Sequence, residues 1–200
     1  MKKIMWYSNI EKWDNLEAAS NPSRVPEFID LIIHAKTEEE AEEYYWGIDN
    51  TVILQGTLYE SAVPTLYLVL EKIRCSELPG RNYLIQFIEQ VALSENYESK
   101  IKKEDFKNQC LSMIKNNKNY FYEIFDFGLP IEKTCSFFIL CKCAIYEYDV
   151  IFFEEFIKKY ENLCTSDSEF IFYNEIESGV LYDVKLFYND LLQSEETNLA

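Results

Sequence analysis

Histidine is the scarcest reactive side chain in this sequence, and His34 stands alone. A single imidazole excludes H-E-x-x-H zinc chemistry and multi-histidine metal cages. Cys–His or Ser–His–Asp catalysis stays formally open. His34, however, follows the apolar run Phe28-Ile29-Asp30-Leu31-Ile32-Ile33, where a helix should end. A cation at that end is favoured by the helix dipole, so His34 reads as a capping or core residue. Cys135, Cys141 and Cys143 share one apolar helical stretch, where free thiols pack as small hydrophobes. Cys141-x-Cys143 is not a C-x-x-C motif, and residues two apart on a helix point away from each other. The five glycines, Gly47, Gly56, Gly80, Gly128 and Gly179, form no G-x-G-x-x-G, G-K-[ST] or G-x-S-x-G. Phosphate cradles and hydrolase elbows therefore have no material. No metal, cofactor or catalytic group is expected.

Carboxylates are the abundant chemistry. The 200 residues carry 35 acidic and 19 basic side chains, a net charge of −16, spread as −8 in each half. Such a field repels phosphate and disfavours nucleic acid as a partner. It attracts cationic partners and speeds their encounter, and it also keeps an aromatic-rich chain soluble. The densest feature runs from Thr37 to Pro64, TEEEAEEYYWGIDNTVILQGTLYESAVP. Glu38, Glu39, Glu40, Glu42 and Glu43 fill the first turns of an expected helix, where the macrodipole favours them. Tyr44, Tyr45, Trp46, Asp49, Asn50, Gln55, Tyr59 and Glu60 follow. One reading is a solvated helix start followed by core aromatics. The other is an acidic, aromatic protein-binding rim, because Tyr and Trp dominate interface hot spots and carboxylates steer basic partners.

The elements that must position these residues are helical. Apolar residues recur at helical spacing in Val25, Phe28, Ile29, Ile32 and Ile33, and again in Leu84, Ile88, Val91 and Ala92. Phe106, Cys110, Met113 and Ile114 repeat the pattern, as do Val150, Phe153, Phe156, Ile157, Tyr160 and Cys164. Phe137 to Tyr148 is apolar nearly all round, as in a central helix packed on several sides. Thr37 to Glu40 and Thr57 to Glu60 both fit a capping box, and Asp149 suits an N-cap. Pro26 and Pro130 fit first helical turns, and Pro79-Gly80 reads as a turn. If a helix begins after Thr57, Pro64 must kink or restart it. Phe170-Ile171-Phe172-Tyr173 suits a short strand or a buried helical turn equally.

Pro26, Pro64 and Pro130 are 38 and 66 residues apart, near one and two helix–turn–helix repeats of roughly 33–47 residues. The expected fold is all-α, an irregular α-solenoid of HEAT/armadillo-like helix pairs, with a globular helical bundle as the alternative. Residues 1–200 read as a single helical-repeat domain, with 194–200 a frayed tail. The start MKKIMWYSNIEKWDN has no apolar core of a signal peptide, and no stretch reaches the roughly 20 apolar residues of a membrane span. A cytoplasmic protein with reduced thiols is expected.

The segment from Tyr44 to Leu70, YYWGIDNTVILQGTLYESAVPTLYLVL, resembles a signature of bacterial HEAT-like helical proteins. There a tyrosine-containing helix leads into a Q-G-x-x-Y-E-x-x-x-x-x-P turn and then an apolar helix. Here Gln55, Gly56, Tyr59 and Glu60 supply that turn, shortened to end at Ala62-Val63-Pro64. The likeness spans Pro26 to Leu70, and Cys110 to Leu140 is repeat-like. The arginine of many HEAT second helices has only Lys133 as a stand-in. Many such proteins are immunity proteins of polymorphic toxin and contact-dependent inhibition systems. The resemblance implies a non-enzymatic inhibitor, a monomer in a 1:1 complex with a cognate toxin domain, and no nucleic-acid or membrane partner. In that role Glu39, Glu43, Asp49 and Glu60 would steer a basic toxin, and Tyr45, Trp46 and Tyr59 would be the buried anchors. A non-inhibitory helical scaffold is the competing expectation.

Overall fold

The computed structural model describes residues 13–76, 78–96, 105–147 and 149–166. Ser166 closes the last described helix, so the strand-or-turn segment around Phe170–Tyr173 and the tail at 194–200 lie outside the described residues. The described chain is mostly helical, as expected. In chain order its α-helices are α1 (Val25–His34), α2 (Glu38–Val52), α3 (Ala62–Lys72), α4 (Leu78–Leu93), α5 (Phe106–Asn116), α6 (Lys118–Phe127), α7 (Pro130–Glu147) and α8 (Val150–Ser166). Three two-residue strands, β1 (Ile53–Leu54), β2 (Thr57–Leu58) and β3 (Glu95–Asn96), accompany them. A boundary between Asn117 and Lys118 divides the stretch expected as one domain into two compact units. The polar run Asn116-Asn117-Lys118-Asn119 marks that place in the sequence.

In the first unit α1 lies against α2, and both pack on α4, while α5 packs on α3 and α4. The helical spacing predicts the buried faces well. Val25, Ile29 and Ile32 of α1 and Leu84, Ile88, Val91 and Ala92 of α4 are wholly buried. Each large aliphatic side chain buried in this way contributes about 1.5–3 kcal/mol. His34 is exposed at the last position of α1, so it is not a core residue, and it sits at the end the dipole favours for a cation.

Two expected local structures are corrected. Thr57 does not cap a helix: Thr57 and Leu58 pair antiparallel with Leu54 and Ile53, and β2 also pairs in parallel with β3. The hairpin forms because Gln55 and Gly56 both adopt positive φ, 52° and 75°, as a type I′ turn requires. Helix α3 therefore starts at Ala62, and Pro64 falls in its first turn, where a missing N–H costs nothing and no kink is needed. Pro79-Gly80 is likewise not a turn but the first turn of α4. Gly80 is there for close approach. A Cβ built on it would lie 2.0 Å from the Ile32 carbonyl oxygen on α1.

Among the described residues the second unit comprises α6, α7 and α8. Ser136 to Leu140 of α7 are all buried, which accounts for the all-round apolar pattern. Phe137 stacks on Tyr160 at 3.9 Å between centroids, and Phe125 meets Phe156 at 4.5 Å. Glu132 is wholly buried because its carboxylate accepts the Leu129 N–H at 2.8 Å, closing the start of α7 behind Pro130. Asp149 caps α8 through the Phe152 N–H at 3.1 Å. Cys135, Cys141 and Cys143 are buried in α7 and Cys110 in α5, whereas Cys75 is exposed. Burial pushes the Cys110 thiol up to about 12 and the Cys141 thiol well above its ordinary value.

Two outcomes follow from these contacts. Gly80→Ala should destabilise the protein by about 1–3 kcal/mol, since backbone blocks the new methyl. Urea titration of the variant against the parent measures it, and an unchanged midpoint would contradict the Gly80–Ile32 packing. Mass-mapped iodoacetamide labelling of native protein at pH 8 should modify Cys75 readily. Cys110 and Cys141 should react only after denaturation, because thiolate is the reactive form.

Candidate functional site

Helix α2 carries the residues singled out in the sequence, and its own packing sorts them. Thr37 starts it as a capping box should. The Thr37 hydroxyl accepts the Glu40 N–H at 3.2 Å, and the Glu40 carboxylate accepts the Lys36 N–H at 2.9 Å. From there Ala41, Tyr45, Ile48 and Val52 form a buried stripe against α1 and α4. Gly47 lets α1 come close, since a Cβ on it would stand 2.8 Å from the Phe28 ring. With that stripe inward, Glu39, Glu42, Glu43, Trp46 and Asn50 face solvent.

The seven expected partner-binding residues do not form one surface. Glu39, Glu43 and Trp46 are exposed on the outer face of α2, and Trp46 keeps 48% of its surface in solvent. Tyr45 keeps only 7%. Its ring rests 5.5 Å from Tyr83 of α4 and 5.2 Å from Trp46. As it stands, Tyr45 is a core residue and not an anchor open to a partner, because it lies on the apolar stripe that α2 must bury. Asp49 is half-buried beneath it, accepting the Tyr45 hydroxyl at 3.5 Å. Tyr59 and Glu60 belong to the exit of the hairpin and are also half-buried. The Tyr59 N–H donates to the Val52 carbonyl at 3.1 Å. The Glu60 carboxylate accepts the Glu17 N–H, also at 3.1 Å, and so holds the chain before α1.

Two residues outside the seven expected ones join this face. Glu42 accepts the indole N–H of Trp46 at 3.3 Å, a contact its four-residue spacing makes available. Tyr83 comes from α4, and no local pattern links it to α2. Burial raises its hydroxyl's pKa, and the negative charges of Glu42, Glu38 and Glu39 raise it further. Three carboxylates thus act on one phenol. Among the described residues, Glu38, Glu39 and Glu43 have no hydrogen-bond or ion-pair partner. Other acids do: Asp30 pairs with Lys72, and Glu147 with Lys118 at 3.1 Å. No group of three or more His, Cys, Asp or Glu side chains is placed to hold a metal ion among the described residues. No described helix is long and apolar enough to cross a membrane. The arrangement offers unpaired negative charge beside an exposed indole, which suits binding a cation.

No protein-family model, no curated protein and no solved structure matches this chain. The described residues define a mostly helical protein with an acidic, aromatic helix face.

Asp49 provides a pH test of this geometry. Burial is the larger influence and raises its pKa above the usual carboxylate value, only partly offset by the Tyr45 hydroxyl. Its protonated form therefore favours folding below the unfolded-state value, and that contribution is lost as pH rises through the folded value. Asp49→Asn keeps the acceptor for Tyr45 and removes the charge. Its Tm should equal or exceed the parent's at pH 7, with the gain shrinking toward pH 4. A lower Tm at pH 7 would contradict it.

Proposed function

We propose that this protein is an immunity protein: a non-enzymatic, HEAT-like helical-repeat inhibitor that binds and neutralises a cognate basic toxin domain. It acts in the cytoplasm as a monomer in a 1:1 complex. The observation that carries the proposal is the outer face of α2, where exposed Glu39 and Glu43 lack cationic partners beside half-exposed Trp46. Unpaired like charges on adjacent turns repel each other, and a basic partner relieves that repulsion on docking. The −16 charge of the whole chain adds long-range attraction and a fast encounter. Residues 44–70 resemble a signature of bacterial HEAT-like helical proteins, many of which look like immunity proteins, and that resemblance suggests the toxin reading. Helix pairs joined by short connectors, α1 with α2 and α6 with α7, support the repeat reading. The partner-contact set is Glu39, Glu42, Glu43 and Trp46, with Tyr83 at its edge.

The other reading is a scaffold that gathers partners without inhibiting any. The division into two compact units favours it, because each unit could carry its own partner. Gene order and co-expression separate the two. An immunity protein should rescue growth when expressed with the product of the adjacent upstream gene, and should co-purify with it one to one. Co-purification without rescue would favour the scaffold. Glu39→Lys with Glu43→Lys should slow association by about tenfold at low salt and flatten its salt dependence. An unchanged association rate would remove this face of α2 from the interface.

A further inference from the structure

Twice among the described residues a cation sits over an aromatic ring and also pairs with a carboxylate next to that ring in sequence. Arg24 lies 4.5 Å above Phe28, and both its Nε and a terminal nitrogen donate to Glu27, at 3.3 and 3.5 Å. Lys159 lies 5.0 Å above Phe125 and pairs with Asp126. A cation so placed gains from the ring quadrupole and from the carboxylate together. Helix α2 presents a related acceptor set, with its carboxylates one helical turn from the ring rather than next to it in sequence. Trp46 has Glu43 three residues before it and Glu42 four before it, the positions that neighbour it on a helix. Its ring, the best aromatic for a cation, is nearly half exposed. The Glu42 carboxylate holds its N–H, and the Tyr45 ring meets it in a T-shaped contact. No cation of this chain lies over the Trp46 ring among the described residues.

We infer that Trp46 is the seat of an arginine presented by the partner, its guanidinium stacked on the indole and its N–H groups donating to Glu42 and Glu43. Arginine fits better than lysine. One carboxylate, Glu42, bonds the indole, and Glu43 stands at the neighbouring helical position; a planar guanidinium can stack and donate to both at once, whereas an ammonium is a compact, strongly hydrated point charge. This inference rests on the binding role proposed above, names the chemistry of the partner, and can be tested without the toxin.

The probe is hexa-arginine, titrated into the full-length protein at fixed ionic strength while the indole N–H resonances are followed by NMR. Trp46→Phe identifies the Trp46 signal by its loss. That signal should shift saturably, and hexalysine should bind about fivefold more weakly. Glu42→Gln with Glu43→Gln should weaken hexa-arginine about tenfold. That variant keeps the oxygen acceptor for the indole N–H, so the ring stays seated. Glu154→Gln with Glu155→Gln removes the same charge from exposed positions on α8 and should change affinity less than twofold. An unmoved Trp46 resonance overturns the inference. So does equal affinity for hexalysine, or equal weakening by the α8 pair. Failure here leaves toxin neutralisation standing if co-expression still rescues growth. Loss of rescue with a saturable, arginine-selective shift would overturn the toxin reading alone.

Discussion

The packing of one stripe of α2 sets the rest of the first unit. Ala41, Tyr45, Ile48 and Val52 are pressed between α1 and α4, and burying them fixes the rotation of α2 about its own axis. Side chains on a helix occupy fixed angular positions, so that rotation also decides which carboxylates reach solvent. Two glycines permit the depth of contact: Gly80 brings α4 onto the backbone of α1, and Gly47 admits the Phe28 ring. The exposed acidic face is thus the far side of an apolar seam, and anything that rotated α2 would scatter it.

The charge on that face is not balanced within the described protein. An exposed ion pair is worth only about 0–1 kcal/mol, so leaving Glu39 and Glu43 unpaired costs folding little. The same groups matter more to an incoming partner, whose cations would lose water on docking and gain two carboxylates and an indole. Carboxylates already committed to the fold are different in kind. Glu40, Glu60 and Glu132 each accept a backbone N–H, and recruiting them to a partner would undo a helix start or a chain crossing.

Several features were legible because their cause is local. The Thr37 and Asp149 caps, the dipole-favoured position of His34, and the buried faces of α1 and α4 follow from hydrogen-bond geometry and periodicity within a turn or two. The errors were also local ambiguities that distant residues resolve. Thr57 to Glu60 satisfies a capping pattern, but the Gln55-Gly56 turn pairs Thr57 with β1, and β3, almost forty residues later, adds a parallel partner for β2. Pro79-Gly80 has the composition of a turn, yet the pressing need there is space for the Ile32 carbonyl.

Alone, the sequence determined a mostly helical chain with a net excess of negative charge, and a run of glutamates leading into Tyr44, Tyr45 and Trp46. Composition and helical period suffice for that, because both are properties of neighbouring residues. Tertiary structure alone decided which of those residues are surface. It withdrew Tyr45 into the core, tied Glu60 to the backbone of Glu17, and brought Tyr83 beside the glutamates of α2. Exposure is set by which helices meet, and that depends on shape and contact between segments far apart in the chain.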